Sequence, residues 1–252
     1  MGTCASMEQE IVCNSLLVSH LSPPRHTLTD YPNYRNVNLK QRIMSDGSRR
    51  CVDVNDMKLT DQDMQIVVQW GMIHKKCKSL AVGGNRITSQ GVWVIANALC
   101  INTTLKHLTL HCNHICDTGT QYLAQTLTLH NSTLTGLALH INDITDVGAG
   151  LIAGAIRVNR TLVYVDLSRN RIGDQGAIQL VSAIIQYGDK FERLMLHTNQ
   201  LITDVSVPTI VRMLEMKRPL ETFWVNKCSI SDVGRAKIWQ AGETRKKFYH
   251  NE

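Results

Sequence analysis

Residues 105–119 read LKHLTLHCNHICDTG, and two different proteins could be written that way. His107, His111, Cys112, His114 and Cys116 crowd into the middle of the stretch like a metal site. Zinc needs four donors converging tetrahedrally on one point. Alternate residues of an extended chain instead face opposite sides. The surrounding sequence has to decide.

The stretch is not alone. LTGLALHINDITDVG (134–148), LVYVDLSRNRIGDQG (162–176) and LETFWVNKCSISDVG (220–234) repeat its pattern. RRCVDVNDMKLTDQD (49–63), CKSLAVGGNRITSQG (77–91) and FERLMLHTNQLITDVS (191–206) follow with small departures, the last carrying one extra residue near Ile202. Seven units therefore start near 49, 77, 105, 134, 162, 191 and 220, at steps of 28 or 29 residues. A fixed period of that length is the mark of a solenoid.

Within a unit, apolar residues two apart, such as Leu108 and Leu110 or Leu137 and Leu139, predict a short strand with one buried face. Asn85, Asn113, Asn142, Asn170 and Asn199 then form one column, where inward amides can satisfy a turn's backbone groups. Met57 and Cys228 fill that column in the first and last units. Residues four apart follow: Gly91, Ile95 and Leu99; Gly119, Leu123 and Leu127; Gly148, Ile152 and Ile156; Gly176, Leu180 and Ile184. Each set lies on one face of a helix. Helices are wider than strand spacing, so stacked units curve into an arc with the sheet on its concave side.

The pattern L-x-x-L-x-L-x-x-N/C-x-L/I, held over residues 49–243, resembles the leucine-rich repeats of the long, ribonuclease-inhibitor-like class. That resemblance implies an α/β right-handed solenoid, parallel strands concave and helices convex. It is also similar to the repeat regions of NOD-like receptors and of Ran GTPase-activating proteins. These imply, respectively, ligand sensing or autoinhibition and regulation of a small GTPase. Ribonuclease inhibitor itself would imply capture of a basic enzyme, yet this chain is basic, with a formal charge of +6.

The register answers the opening question against a metal. Leu108, Leu110 and Ile115 are expected inward, His107, His111 and Cys112 on the concave side, and Cys116 in the loop before the helix, beside Thr60, Thr88 and Thr145 of other units. No metal and no cofactor is expected. One pairing stands out, because His111 and His140 occupy the same position of adjacent units, about 4.8 Å apart across parallel strands. They could share a proton, a metal or an acidic group.

The exposed strand positions of an arc are its usual binding face. Toward the C-terminal end they present Tyr164, Asp166, Arg169, Arg193, Met195, His197, Trp224 and Lys227, joined by His111 and His140. Tyr, Trp, Met and Arg are enriched at protein interfaces because they combine contact area with a polar handle. A protein partner is expected there, although Trp224 and Met195 could instead cover the last edge of the sheet. Asp53, Asn55 and Asp56 form a small acidic patch at the other end.

Other classes find little support. P-loop, nucleophile-elbow and H-E-x-x-H motifs are absent, and no catalytic residue is assigned. The basic residues are dispersed apart from HKKCK (74–78) and RKK (245–247), so nucleic-acid binding is not expected. Eight cysteines without paired spacing and the lack of an early apolar run favour a reducing, cytoplasmic setting. Asn102, Asn131 and Asn159 match the glycosylation pattern, but all three sit at the helix-to-strand turn of the repeat.

Residues 1–48 lie outside the repeats, with a short amphipathic helix expected over 8–21 and an irregular linker, SPPRHTLTDYPNYRN, over 22–36. MGTCAS at the start matches a myristoylation pattern at Gly2 with Cys4 beside it. Two acyl groups would supply peripheral membrane attachment. Residues 244–252 read as a polar tail.

Overall fold

The structure is a computed structural model that describes residues 36–45, 50–216 and 220–243. The sites at Gly2 and Cys4, the helix expected over 8–21, the linker after it as far as residue 35 and the tail at 244–252 lie outside those residues. Seven parallel strands form one sheet in chain order: β1 (Cys51–Asp53), β2 (Ser79–Ala81), β3 (His107–Thr109), β4 (Gly136–Ala138), β5 (Tyr164–Asp166), β6 (Arg193–Met195) and β7 (Thr222–Trp224). Each begins two residues after the unit start read from the sequence. The register is equally regular, pairing Leu108 with Leu137 and Leu137 with Val165.

The second half of each unit runs back as helix. α1 (Val37–Ser45) precedes the sheet and α2 (Met64–Ile66) continues into a π-helical stretch, Val67–His74. α3 (Ser89–Ile101), α4 (Cys116–Leu129), α5 (Asp146–Val158), α6 (Asp174–Tyr187), α7 (Val207–Glu215) and α8 (Asp232–Gly242) follow. The arrangement is an α/β leucine-rich-repeat arc of seven units. The core lies between sheet and helices, where Leu80, Leu108, Leu137, Val165, Leu194 and Phe223 are essentially inaccessible to water. Each contributes roughly 1.5–3 kcal/mol of burial. Among the described residues no helix is long and apolar enough to cross a membrane.

The asparagine column works as a ladder between units. Asn113 donates from Nδ2 to the Val82 carbonyl of the preceding unit and accepts the Ile87 N–H on Oδ1. Cys228 keeps one rung, its Sγ donating to the Leu196 carbonyl. A second asparagine set holds the helix-to-strand turn. Asn131 accepts from the Thr133 and Leu134 N–H groups and donates to the Leu99 carbonyl. With 3% exposure its side chain has no room for a glycan.

A third ladder was not anticipated. The aspartate opening one unit's helix reaches into the next unit: Asp117 accepts from the Thr145 N–H and hydroxyl and from the Gly148 N–H. Asp61, Asp146, Asp174 and Asp204 make corresponding bonds. A Cβ on Gly148 would sit 2.5 Å from the Asp117 carboxylate, so the glycine makes room for the rung. The ladder lapses once, where Ser89 replaces the aspartate and Cys116 the threonine.

The residue before each asparagine column position has a left-handed backbone: Asp56, Gly84, Cys112, Ile141, Arg169, Thr198 and Lys227 have φ between 50° and 64°. This conformation keeps the ladder running past the strand, with Cys112 N–H donating to the His140 carbonyl and Arg169 N–H to the His197 carbonyl. It suits Gly84 and strains a β-branched residue. Ile141→Gly is therefore expected to stabilise the chain by about 0.5–1 kcal/mol, the relieved strain outweighing the added entropy of the unfolded state. A denaturant midpoint at or below wild type contradicts this.

At the first unit, α1 packs Leu39 and Ile43 into the core. Asn36 accepts the Leu39 N–H and donates to Asp63, and the Lys40 ammonium lies 3.9 Å over the Trp70 ring. The extra residue of the sixth unit is absorbed in its loop, with Ile202 fully buried and Leu201 exposed.

Candidate functional site

The concave surface is a grid of outward residues from the seven strands and their continuations. Glycines just past β2 and on β4 let larger neighbours lie across them. A Cβ on Gly83 would fall 2.1 Å from the His111 ring, and one on Gly136 would meet both His107 and Tyr164. The sheet floor is thus covered from β3 and β5.

The imidazoles of His111 and His140 stack nearly parallel, with centroids 4.6 Å apart and planes at 8°. The two rings do not share an acidic group: a carboxylate meets His140 and not His111. His140 Nδ1 lies 3.1 Å from Asp166 Oδ2. Asp166 Oδ1 accepts from the Ser168 N–H and hydroxyl, and the Tyr164 hydroxyl is 3.5 Å from Oδ2. Asp166 therefore differs from the free contact residue expected on this face. It is buried, and its oxygens hold His140 and Ser168 in place.

Burial pushes the Asp166 carboxyl up, but bonds from His140 and Ser168 outweigh it and leave the group below its ordinary value. Burial, with Asp166 adding to it, pushes the Tyr164 phenol up to about 12. His111 is lowered by burial and by His140, and His197 by burial first, with nearby Arg169 among the further causes. Nδ1 of each of these two rings is shielded from water with no hydrogen bond among the described residues.

The histidine shifts carry a pH dependence. Both groups have a folded value below the unfolded one of about 6.5, so the unfolded chain takes up protons first as pH falls. Stability is expected to decline as pH drops from 6.5 through the folded values, before Asp166 titrates. Urea midpoints at pH 7 and 5 should show the decline, and a His111→Asn, His197→Asn variant should reduce it. An undiminished decline in that variant would assign it elsewhere.

The other expected residues gather around β5–β7. Arg169, Arg193 and Lys227 are exposed, while Met195, His197 and Trp224 are half-buried between them. His197 meets the Trp224 ring edge-on, centroids 5.7 Å apart. Asp53 and Asp56 are exposed at the β1 end.

The crowded stretch that opened the sequence does not close on a point. His107 and His114 are exposed, Cys112 turns off in its left-handed conformation, and Cys116 is exposed at the start of α4. Among the described residues no three histidine, cysteine or acidic side chains come together to hold a metal. Ser168, Asp166 and His140 do not form a nucleophilic triad, since the buried serine hydroxyl is bound to the aspartate and not to the imidazole. A hollow of about 730 Å³ lies on the convex side between α7 and α8, lined by Val207, Pro208, Val211 and Val233. It is open to solvent, and its polar lining, Asp204, Glu215, Lys237 and Gln240, is of mixed charge; the concave face is taken as the candidate site.

Comparison with known proteins agrees with this architecture. The family described as Leucine Rich repeat matches residues 102–124, 130–153 and 158–181. Ribonuclease inhibitor from Sus scrofa is 31% identical over 142 residues, 56% of this chain. The match spans 31% of that protein's length. Among solved structures, leiomodin-1 actin-binding site 2 superposes with a TM-score of 0.52 at 22% identity, over 62% of this chain and 92% of that one. The tropomodulin C-terminal domain of Caenorhabditis elegans gives a TM-score of 0.45 at 13% identity, over 81% and 89%. The leiomodin likeness is one of fold.

Proposed function

We propose that this leucine-rich-repeat protein, of the ribonuclease-inhibitor-like class, is a non-enzymatic scaffold or adaptor that binds a partner protein on its concave face. The observation that carries the proposal is the group around β6 and β7. Met195, His197 and Trp224 offer half-buried contact area, and Arg169, Arg193 and Lys227 ring it with exposed charge. Protein hot spots have this form, an apolar centre with a polar rim. The repeats supply the rigidity: β5 and β6, paired on both sides, and β7, paired with β6, hold these side chains in fixed register, which lowers the entropy lost on binding.

Affinity purification from the native cell, read by mass spectrometry, tests it. The comparison is wild type against a Tyr164→Ala, Met195→Ala, Trp224→Ala variant whose circular dichroism and melting confirm folding. A partner retained by wild type and depleted at least tenfold in the variant supports the concave site. Unchanged partners would make those residues a cover for the sheet edge and shift attention to the convex helices.

A second reading, from the similarity to Ran GTPase-activating proteins, is regulation of a small GTPase. Stimulated GTP hydrolysis across a panel of small GTPases would favour it. No activating residue can be assigned on this chain.

A further inference from the structure

Charge is distributed unevenly along the concave face. Asp53 and Asp56 are exposed at the β1 end. On β5–β7 and their continuations the exposed charges are cationic, and no ion pair involves Arg169, Arg193 or Lys227 among the described residues. Arg171, by contrast, is neutralised by Asp143 at 2.9 Å. The acid within the cationic group, Asp166, is buried and occupied by Ser168 and His140. Glu192 and Glu221 belong to the turns that enter β6 and β7.

The positions form a triangle. Arg169 and Lys227 occupy the same place two strands apart, roughly 10 Å, and Arg193 sits five residues before Thr198 on β6, about 16 Å down the strand direction. Met195, His197 and Trp224 fill its interior. An unfilled set of three cations is electrostatically incomplete, and a partner that supplies carboxylates there gains attraction without displacing an existing pair. The acidic β1 end would repel the same partner, which confines it to the C-terminal half of the arc.

We infer that the partner segment seated over β5–β7 is an acidic stretch of protein with an apolar or aromatic side chain at its centre. The inference rests on the concave-face binding proposed above and adds the chemistry of the occupant. Carboxylates face Arg169, Arg193 and Lys227, and the central side chain lies on Met195 and Trp224.

The test is a display selection of random peptides of about 10 residues, long enough when extended to cross three strands, against the full chain. Enriched peptides are expected to be net negative with at least one large apolar residue. The tightest, synthesised, should weaken at least tenfold between about 0.05 and 0.3 M salt, because screening shortens the reach of the cations. It should also weaken at least tenfold against a folded Arg169→Glu, Lys227→Glu variant. Neutral or basic peptides that are lost in the Trp224→Ala variant would overturn the acidic assignment while leaving the concave site in place. Acidic peptides indifferent to every concave substitution, or no face-dependent peptide at all, would overturn both.

Discussion

Asn170→Ala is expected to destabilise the chain by about 4 kcal/mol. Its Oδ1 accepts from the Asn142 and Ile144 N–H groups, at 2.9 and 3.1 Å. Its Nδ2 donates to the carbonyls of Leu139, Leu167 and Ser168, at 3.1, 3.0 and 3.2 Å. One side chain therefore satisfies backbone groups of two adjacent units inside a turn that water barely reaches. Alanine leaves the two N–H groups without their acceptor, while the Leu139, Leu167 and Ser168 carbonyls keep Asn142 Nδ2, Asn199 Nδ2 and the Ile141 N–H as donors; each buried unsatisfied group carries a penalty of roughly 1–3 kcal/mol, reduced where water enters the gap. The position is also in the middle of the array, where each unit's stability depends on contact with both neighbours. Urea unfolding should show a large fall in midpoint and a broadened or two-step transition. A loss below about 1 kcal/mol would mean that the turn relaxes without its amide. Asn170→Cys should do less harm, since Cys228 preserves one bond in the same column.

Asp117→Ala should remove about 3 kcal/mol. Its carboxylate receives three bonds from the next unit, at 2.9, 2.6 and 2.9 Å, and bonds to a charged acceptor are each worth roughly 1.5–3 kcal/mol before relaxation and the residual capping by Thr145 are allowed for. The reverse change tests the same idea at the lapsed rung. Ser89→Asp with Cys116→Thr should stabilise by about 1 kcal/mol, more than the two single changes added together. Residue 116 must then leave φ of 56° for the extended conformation of Thr145, at φ −104°. Additive behaviour in the double-mutant cycle would show that no rung forms.

The fold was legible to a high degree. A unit such as 134–148 states its strand through Leu137 and Leu139, its turn through Asn142, and its helix through Gly148 and Ile152. These are periodicities of burial, and burial is local enough to survive in a string of letters. The aspartate ladder was legible in retrospect: Asp117, Asp146 and Asp174 each precede a glycine by two residues, and that recurrence marks a close approach. It was missed because its meaning lies between units, in a carboxylate occupying the space of the next unit's absent Cβ.

The site divides differently. The sequence placed Tyr164, Arg193, Met195, His197 and Trp224 on a common surface, because strand alternation decides which way a side chain faces. It could not separate Asp166, buried and occupied, from Arg169, exposed and in no ion pair among the described residues, since that depends on what stands alongside. Periodicity was sufficient for the repeat, its register and its exposed face, all consequences of near-neighbour geometry. Only the stacking of one strand beside the next decided that His140 meets Asp166, that His111 lies over Gly83, and that, among the described residues, three cations of the C-terminal half are left without acids. Those pairings join residues about a full repeat apart, where one unit's pattern carries no information about its neighbour's side chains.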